Sequence, residues 1–201
     1  MMRTLAALLT AVIVAPCPAP ARQLSTRLHV GAVASTALMR DSILRPVVVE
    51  PGTALSAAAG AGWQVSPRLS ADGELVVARA DLTVREGSAE RTINTVTSVS
   101  LTAGLSVLLV DRATARVGLG GIRYFPADEA GIFARGGAAS VIGAASIAYR
   151  WALSPRVALG VEARYDLHTF TTAELEARGF DSAHTVHRVG LGLSMVYEWP
   201  P

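Results

Sequence analysis

The chain predicts an all-β fold, a closed antiparallel up-and-down transmembrane β-barrel of about eight strands. Three observations predict it. Apolar and polar side chains alternate with period two along most of the chain. The connections alternate between short turns and longer polar segments. The three tryptophans stand at matching ends of predicted strands.

Alternation matters because successive side chains of a strand point to opposite faces. Taken in order, residues 27–38 and 55–65 read as two Ala/Gly-rich strands. In the third, Val76, Ala78, Ala80, Leu82 and Val84 oppose Arg79, Asp81, Thr83 and Arg85. The fourth, 92–110, sets Val99, Leu101, Ala103, Leu105, Val107 and Leu109 against Ser98, Ser100, Thr102, Gly104 and Ser106. The fifth, 115–125, breaks the rule, because strict alternation puts Arg123 beside Val117 and Leu119. A bulge at Gly120-Gly121 is expected to return Arg123 to the polar face, and a similar bulge is expected at Asp72-Gly73-Glu74.

The last three strands are the clearest. Along 139–151, Val141, Gly143, Ala145, Ile147, Tyr149 and Trp151 face away from Ser140, Ala144, Ser146 and Arg150. Along 156–170, Val157, Leu159, Val161, Ala163, Tyr165 and Leu167 oppose Ala158, Gly160, Glu162, Arg164, Asp166 and His168. The final segment sets Val189, Leu191, Leu193, Met195, Tyr197 and Trp199 against Arg188, Gly190, Gly192, Ser194, Val196 and Glu198.

Ser66-Pro67-Arg68, residues 111–114 and Ser154-Pro155-Arg156 are short turn-forming links. Between them lie longer segments at about 39–54, 86–91, 126–137 and 171–183. Short turns at one end and long loops at the other are the plan of a membrane barrel, with the short turns in the periplasm. Trp63, Trp151 and Trp199 then share the short-turn end and the apolar face. An indole has an apolar body and a polar N–H and prefers the headgroup level, so the three read as an interfacial girdle.

The N-terminus reads as an export signal over 1–21: Arg3, an apolar run over 5–15, and Ala19-Pro20-Ala21 before the cleavage site. The barrel domain is then 22–201. A retained apolar helix is too short to span a bilayer, and acylation at Cys17 is disfavoured by Pro16 directly before it. Cys17 is the only cysteine, so the mature chain has neither a disulfide nor a thiolate metal site. The net charge is +2 and no Lys/Arg cluster tracks a phosphate backbone, which excludes nucleic acid as a partner. At 51% hydrophobic the chain is apolar, yet no long uncharged run follows the leader, which excludes a helical membrane protein.

A soluble barrel also alternates, so the charged face decides between the two. Here that face pairs opposite charges with many Gly, Ser and Ala residues, which suits a narrow interior better than a solvated surface. The polar network of the interior is expected to comprise Arg79, Asp81, Arg85, Glu162, Arg164, Asp166, His168 and Arg188, filling the lumen as a salt-bridged plug.

On these residues the chain resembles the small eight-stranded outer-membrane barrels, the OmpA/OmpX/OmpW-like group of barrel domains. The likeness covers nearly the whole mature chain and rests on pattern. The ending Met195-Val196-Tyr197-Glu198-Trp199 looks like the assembly signal of such barrels, departing from it in Ser194 and in Pro200-Pro201 after the aromatic residue. The resemblance implies two partners, outer-membrane lipid and the barrel-assembly machinery, and an outer-membrane location. Lipid A deacylases among the small barrels use a His and a Ser on the outer wall. Here His168 precedes Thr169 and Phe170, His184 and His187 flank Thr185 and Val186, and no His-x-Ser arrangement occurs.

No enzymatic activity and no cofactor are therefore expected, since no metal-ligand spacing, phosphate loop or nucleophile elbow is present. Gly118-Leu119-Gly120-Gly121 has no helix after it and reads as strand packing. The expected role is structural or surface-interacting, with a plugged polar interior. Two alternatives are a conduit for small apolar molecules and a soluble periplasmic ligand-binding barrel. The sequence names no ligand.

Overall fold

The computed structural model describes residues 23–41, 47–179 and 183–200. The expected leader, with Cys17 and the start of the mature chain at Arg22, lies outside the described residues. Among them are ten strands: β1 (Leu24–Ser35), β2 (Met39–Asp41), β3 (Val47–Pro51), β4 (Ala54–Ser66), β5 (Leu69–Glu86), β6 (Ala89–Val110), β7 (Ala113–Pro126), β8 (Ala138–Ala152), β9 (Val157–Phe170) and β10 (His184–Glu198). A 3-10 turn (Gly131–Phe133) and a short helix α1 (Ala173–Ala177) lie in the last two loops.

Eight strands form the ring expected from the alternation. Each of β4 to β9 pairs antiparallel with its successor, β1 pairs with β4, and β10 returns to pair with β1 from Ser25↔Glu198 to Ser35↔Arg188. Closure leaves no free edge in the ring, so the backbone N–H and C=O groups find partners within the sheet.

The two loops nearest β5 differ from expectation for one reason. β5 and β6 have 18 and 22 residues against 13 in β4, so they stand taller than their neighbours. What reads as a loop at 86–91 is the tip of this hairpin, which turns on Gly87 and Ser88 with Gly87 at φ +62°. That left-handed conformation suits a glycine in a tight hairpin turn. Above Leu55↔Arg79 the edge of β5 has outrun β4, and there β3 takes over from Val47↔Glu86 to Pro51↔Leu82, with β2 beside it. A polar edge that β4 leaves open is thereby paired.

Neither expected bulge forms. β7 pairs with β6 without a shift from Pro126 down to Thr114, past Gly120-Gly121, and β5 pairs with β4 without a shift from Arg79 to Ser70, past Gly73. Shifts occur instead between Gln64 and Ser66, between Leu82 and Thr83, and between Leu108 and Val110. With the register unbroken, Arg123 stays on the outer face, its guanidinium carbon 5.1 Å from the ring centre of Phe125.

The same continuity corrects the faces of β5. Arg79, Asp81 and Arg85 point outward, while Val76, Ala78, Ala80, Leu82 and Val84 are buried inside. Height is the physical reason. Ala113, level with Tyr149, and Arg123 are ten residues apart. At about 3.4 Å per residue and a tilt near 40° that spans about 26 Å, the full height of an apolar band of about 25 Å. Arg123 therefore emerges where the lipid-facing band ends. Arg79, one strand beyond β6 and paired with Thr97, which itself pairs with Phe125, stands at a similar level. Charges there reach headgroups or water and need no lumen.

Around the barrel between these levels the outer face is apolar. Leu28, Val30, Leu55, Leu101, Leu119, Val141, Leu191 and Leu193 are all exposed. Among the described residues no helix is long and apolar enough to cross a membrane.

Inside, the loop end is closed by an apolar cluster that includes Leu82, Val96, Tyr124, Ile142, Phe170 and Val186 from the wall, and Leu38, Phe133 and Leu175 from the loops. One hydroxyl joins the two loops: Thr172 caps α1 by accepting from Leu175 N at 3.2 Å and donates to Ile132 O at 2.6 Å. Asn94 ties the same region to β6 by donating from Nδ2 to Asp128 O at 2.7 Å. The interior is thus apolar at the loop end, where a polar lumen was expected throughout, because the tall strands turn their apolar side inward above the membrane.

Candidate functional site: a charge cluster across the lumen

The lower and middle lumen is ionic. β1 supplies Arg27 and His29, β5 Asp72 and Glu74, β7 Arg116, β8 Arg150, β9 Glu162, Arg164, Asp166 and His168, and β10 Arg188. Glu74, 2% exposed, is the hub. Arg27 Nη2 donates to its Oε1 at 2.8 Å, Arg164 Nη1 donates to Oε2, and Arg116 Nη1 lies 3.5 Å from Oε2. Three walls of the ring are tied to the fourth through a single carboxylate.

Each cation has a further anchor. Arg164 Nε donates to Asp166 Oδ1 at 2.7 Å. Arg116 Nε donates to Asp72 Oδ1 at 2.5 Å and its Nη2 to Thr102 Oγ1 at 3.0 Å, while Ser106 occupies the other Asp72 oxygen at 2.5 Å. Glu162 lies 4.0 Å from Arg27 Nη1 and 3.8 Å from His29 Nδ1. Higher up, Tyr124 Oη and His168 Nε2 share a hydrogen bond of 2.8 Å under the apolar plug.

The inward glycines make this packing possible. A Cβ at Gly192 would sit 2.6 Å from His29 Nε2, and one at Gly160 would sit 3.1 Å from Arg150 Cγ and 3.2 Å from Ser194 Oγ. Small residues on one strand leave the space that long charged side chains of the next strand occupy. Two cavities beside the cluster, one lined by His29, Glu74 and Arg164 and one by Tyr124, Ser98 and Arg188, hold about 10 Å³ each. That is at the limit of a single water.

Of the expected interior network, Glu162, Arg164, Asp166, His168 and Arg188 are buried in the lumen, and Arg79, Asp81 and Arg85 are not. Arg27, His29, Asp72, Glu74, Arg116 and Arg150 complete the cluster and were missing from the expected set. Their signal lay in the unbroken alternation: Asp72 and Glu74 share parity with Val76, so one strand carries acid below and apolar residues above on the same face. The three tryptophans stand together at the short-turn end on the outer face, each a little under half exposed, with Trp151 edge-on to Tyr149 and Trp199 edge-on to Tyr197, both at 5.1 Å.

On the outer wall, Tyr165 Oη and His187 Nδ1 share a hydrogen bond of 2.6 Å. Among the described residues no group of three or more His, Cys, Asp or Glu is arranged to hold a metal ion.

No protein-family model matches the chain, and no curated protein is similar to it in sequence. Solved structures do match. The outer membrane protein OprG from Pseudomonas aeruginosa is 12% identical with a TM-score of 0.54, over 89% of this chain and 96% of that one. The outer membrane protein AlkL, solved in lipid bilayers, is 16% identical with a TM-score of 0.55, over 93% and 96% of the two chains. Ring closure, the apolar outer band and these matches agree that the chain has the fold of the small eight-stranded outer-membrane β-barrels.

Proposed function

We propose that this chain is a closed outer-membrane barrel with a structural or surface-interaction role, carried by its loop end, and that it is not an enzyme. The observation that carries the reading is the Glu74 cluster, which joins β1, β5, β7 and β9 across the lumen. Charges of both signs pair there, and the apolar plug above them excludes water. The outward apolar band supports a lipid setting over the soluble periplasmic alternative. In this reading the short-turn end faces the periplasm, and β10 with its aromatic ending is the strand that the barrel-assembly machinery engages.

In planar bilayers the refolded protein is expected to show no porin-sized conductance, and in cells it is expected to fractionate with outer membrane and resist extraction by salt. Steady channel openings would refute the plugged lumen, and recovery in a soluble periplasmic extract would refute the membrane assignment.

A second reading, a conduit for small apolar molecules, is favoured by the apolar character of the loop-end plug around Tyr124, Phe133 and Phe170. Uptake of an apolar dye into vesicles containing the barrel, absent from vesicles without it, would favour that reading over the first.

A further inference from the structure

At the short-turn end the lumen widens below the Glu74 cluster into a vestibule of about 160 Å³. That is roughly ten times the space one water needs. Its wall includes Ser25, Arg27, Arg68, Ser70, Asp72 and Arg150. Three guanidiniums meet one carboxylate, and that carboxylate is spoken for: Arg116 and Ser106 take its two oxygens. Arg27 is directed at Glu74. Arg68 is exposed at the mouth.

Arg150 is the exception among the luminal arginines of this level. Its stem passes over Gly160, where a side chain would collide with it. Its Nε is buried with no hydrogen-bond partner, and among the described residues no carboxylate lies within 4.0 Å of it. The charge balance of the lumen points the same way. Arg27, Arg116, Arg150, Arg164 and Arg188 stand against Asp72, Glu74, Glu162 and Asp166, five cations against four anions among the described residues. Among the described residues Arg150 and, higher up, Arg188 have no carboxylate within 4.0 Å, and of the two Arg150 is the one on the wall of the sizeable polar cavity described inside the ring.

We propose that the vestibule is a binding site for a small oxyanion, a phosphate or carboxylate group, held by Arg150 with Arg27 and Arg68 around it. A guanidinium presents parallel N–H donors that match two oxygens of such a group, and a charged acceptor strengthens both bonds. Ser25 and Ser70 add hydroxyls on the same wall. The group enters from the side of the short turns, because the Glu74 cluster closes the lumen above. That this side is periplasmic rests on the proposed function; the binding itself does not.

The test uses the full barrel refolded in zwitterionic detergent, its fold confirmed by heat-modifiable gel mobility, with arginine labelled for NMR. Inorganic phosphate is titrated at constant ionic strength against chloride. The expected result is a saturable shift of the Arg150 Nε–Hε signal with phosphate and none with chloride. R150M is expected to weaken phosphate binding at least tenfold by calorimetry, while R91M, at the exposed hairpin tip, leaves it unchanged. Should R150M fail to refold, R150K serves, and a loss of at least threefold is expected because the paired donors are gone.

Acetate and a short N-acetylated peptide acid, compared with its amide, distinguish a carboxylate at a chain end from a free phosphate as the source. Saturation by either class supports the site. Equal shifts with chloride, or phosphate binding unaltered by the Arg150 substitution, would overturn it. A barrel that binds phosphate yet is found outside the membrane would overturn the proposed function and leave this site standing.

Discussion

Replacing Glu74 by glutamine tests whether the luminal cluster holds the barrel together. The side chain keeps its shape and loses its charge. Three guanidiniums face it, so the cost depends on what each has left. Arg164 retains Asp166 at 2.7 Å and Arg116 retains Asp72 at 2.5 Å. Arg27 retains only Glu162, at 4.0 Å. One cation of three is therefore left with only a distant carboxylate. Removing one partner of a buried pair costs about 3–5 kcal/mol, and E74Q is expected at the lower end, about 3 kcal/mol, because two of the three cations keep a second carboxylate at close range.

R27Q/E74Q is expected to cost less than the sum of the single changes by at least about 1 kcal/mol, since groups in direct contact couple. Urea unfolding in lipid vesicles, followed by fluorescence of the interfacial tryptophans and by heat-modifiable mobility, measures both. An E74Q stability within about 0.5 kcal/mol of the parent, the range of ordinary surface substitutions, or strict additivity in the cycle, would refute a cluster that binds the walls to one another.

Two further outcomes follow from the faces and the packing. Arginine placed in turn at Val189, Leu191, Leu193, Met195 and Tyr197 is expected to cost about 2–4 kcal/mol near Leu193 and Leu191 and about 0–1 toward the tryptophan level; a flat profile in vesicle refolding would contradict a lipid-facing band. Gly120 and Gly121 give a paired control: a Cβ at Gly120 would fall 1.8 Å from Leu101 O, whereas the nearest atom at Gly121 is 3.9 Å away. G120A is expected to destabilise by about 1–3 kcal/mol and G121A by much less, and equal effects in the same urea assay would contradict the unbulged register of β7.

What could be read from the residues depended on the height of each strand. β8, β9 and β10 end near the membrane surfaces, so along them charge means lumen and the alternation of 156–170 assigns Glu162, Arg164 and Asp166 to the interior directly. β5 rises beyond that band, and there the same rule misassigns Arg79, Asp81 and Arg85. Arg123 carries the same lesson on β7, where no bulge is needed because the charge already stands at the band's upper border. On β5 a bulge at Asp72-Gly73-Glu74 was expected to separate these acids from the face of Val76; the register runs through unbroken, and Asp72 and Glu74 share that inward face.

The plug was illegible for a different reason. Phe133 and Leu175 reach it from loops whose approach depends on the Thr172 and Asn94 hydrogen bonds, contacts between segments far apart in the chain. A period-two pattern reports which side of a wall a residue occupies and carries no information on what that side meets at a given height. The division of this lumen into an ionic lower part and an apolar cap arises at that point: the inward face of β5 changes from acid to aliphatic as the strand climbs. The charged cluster and the loops that cover it are consequently two ends of one continuous face.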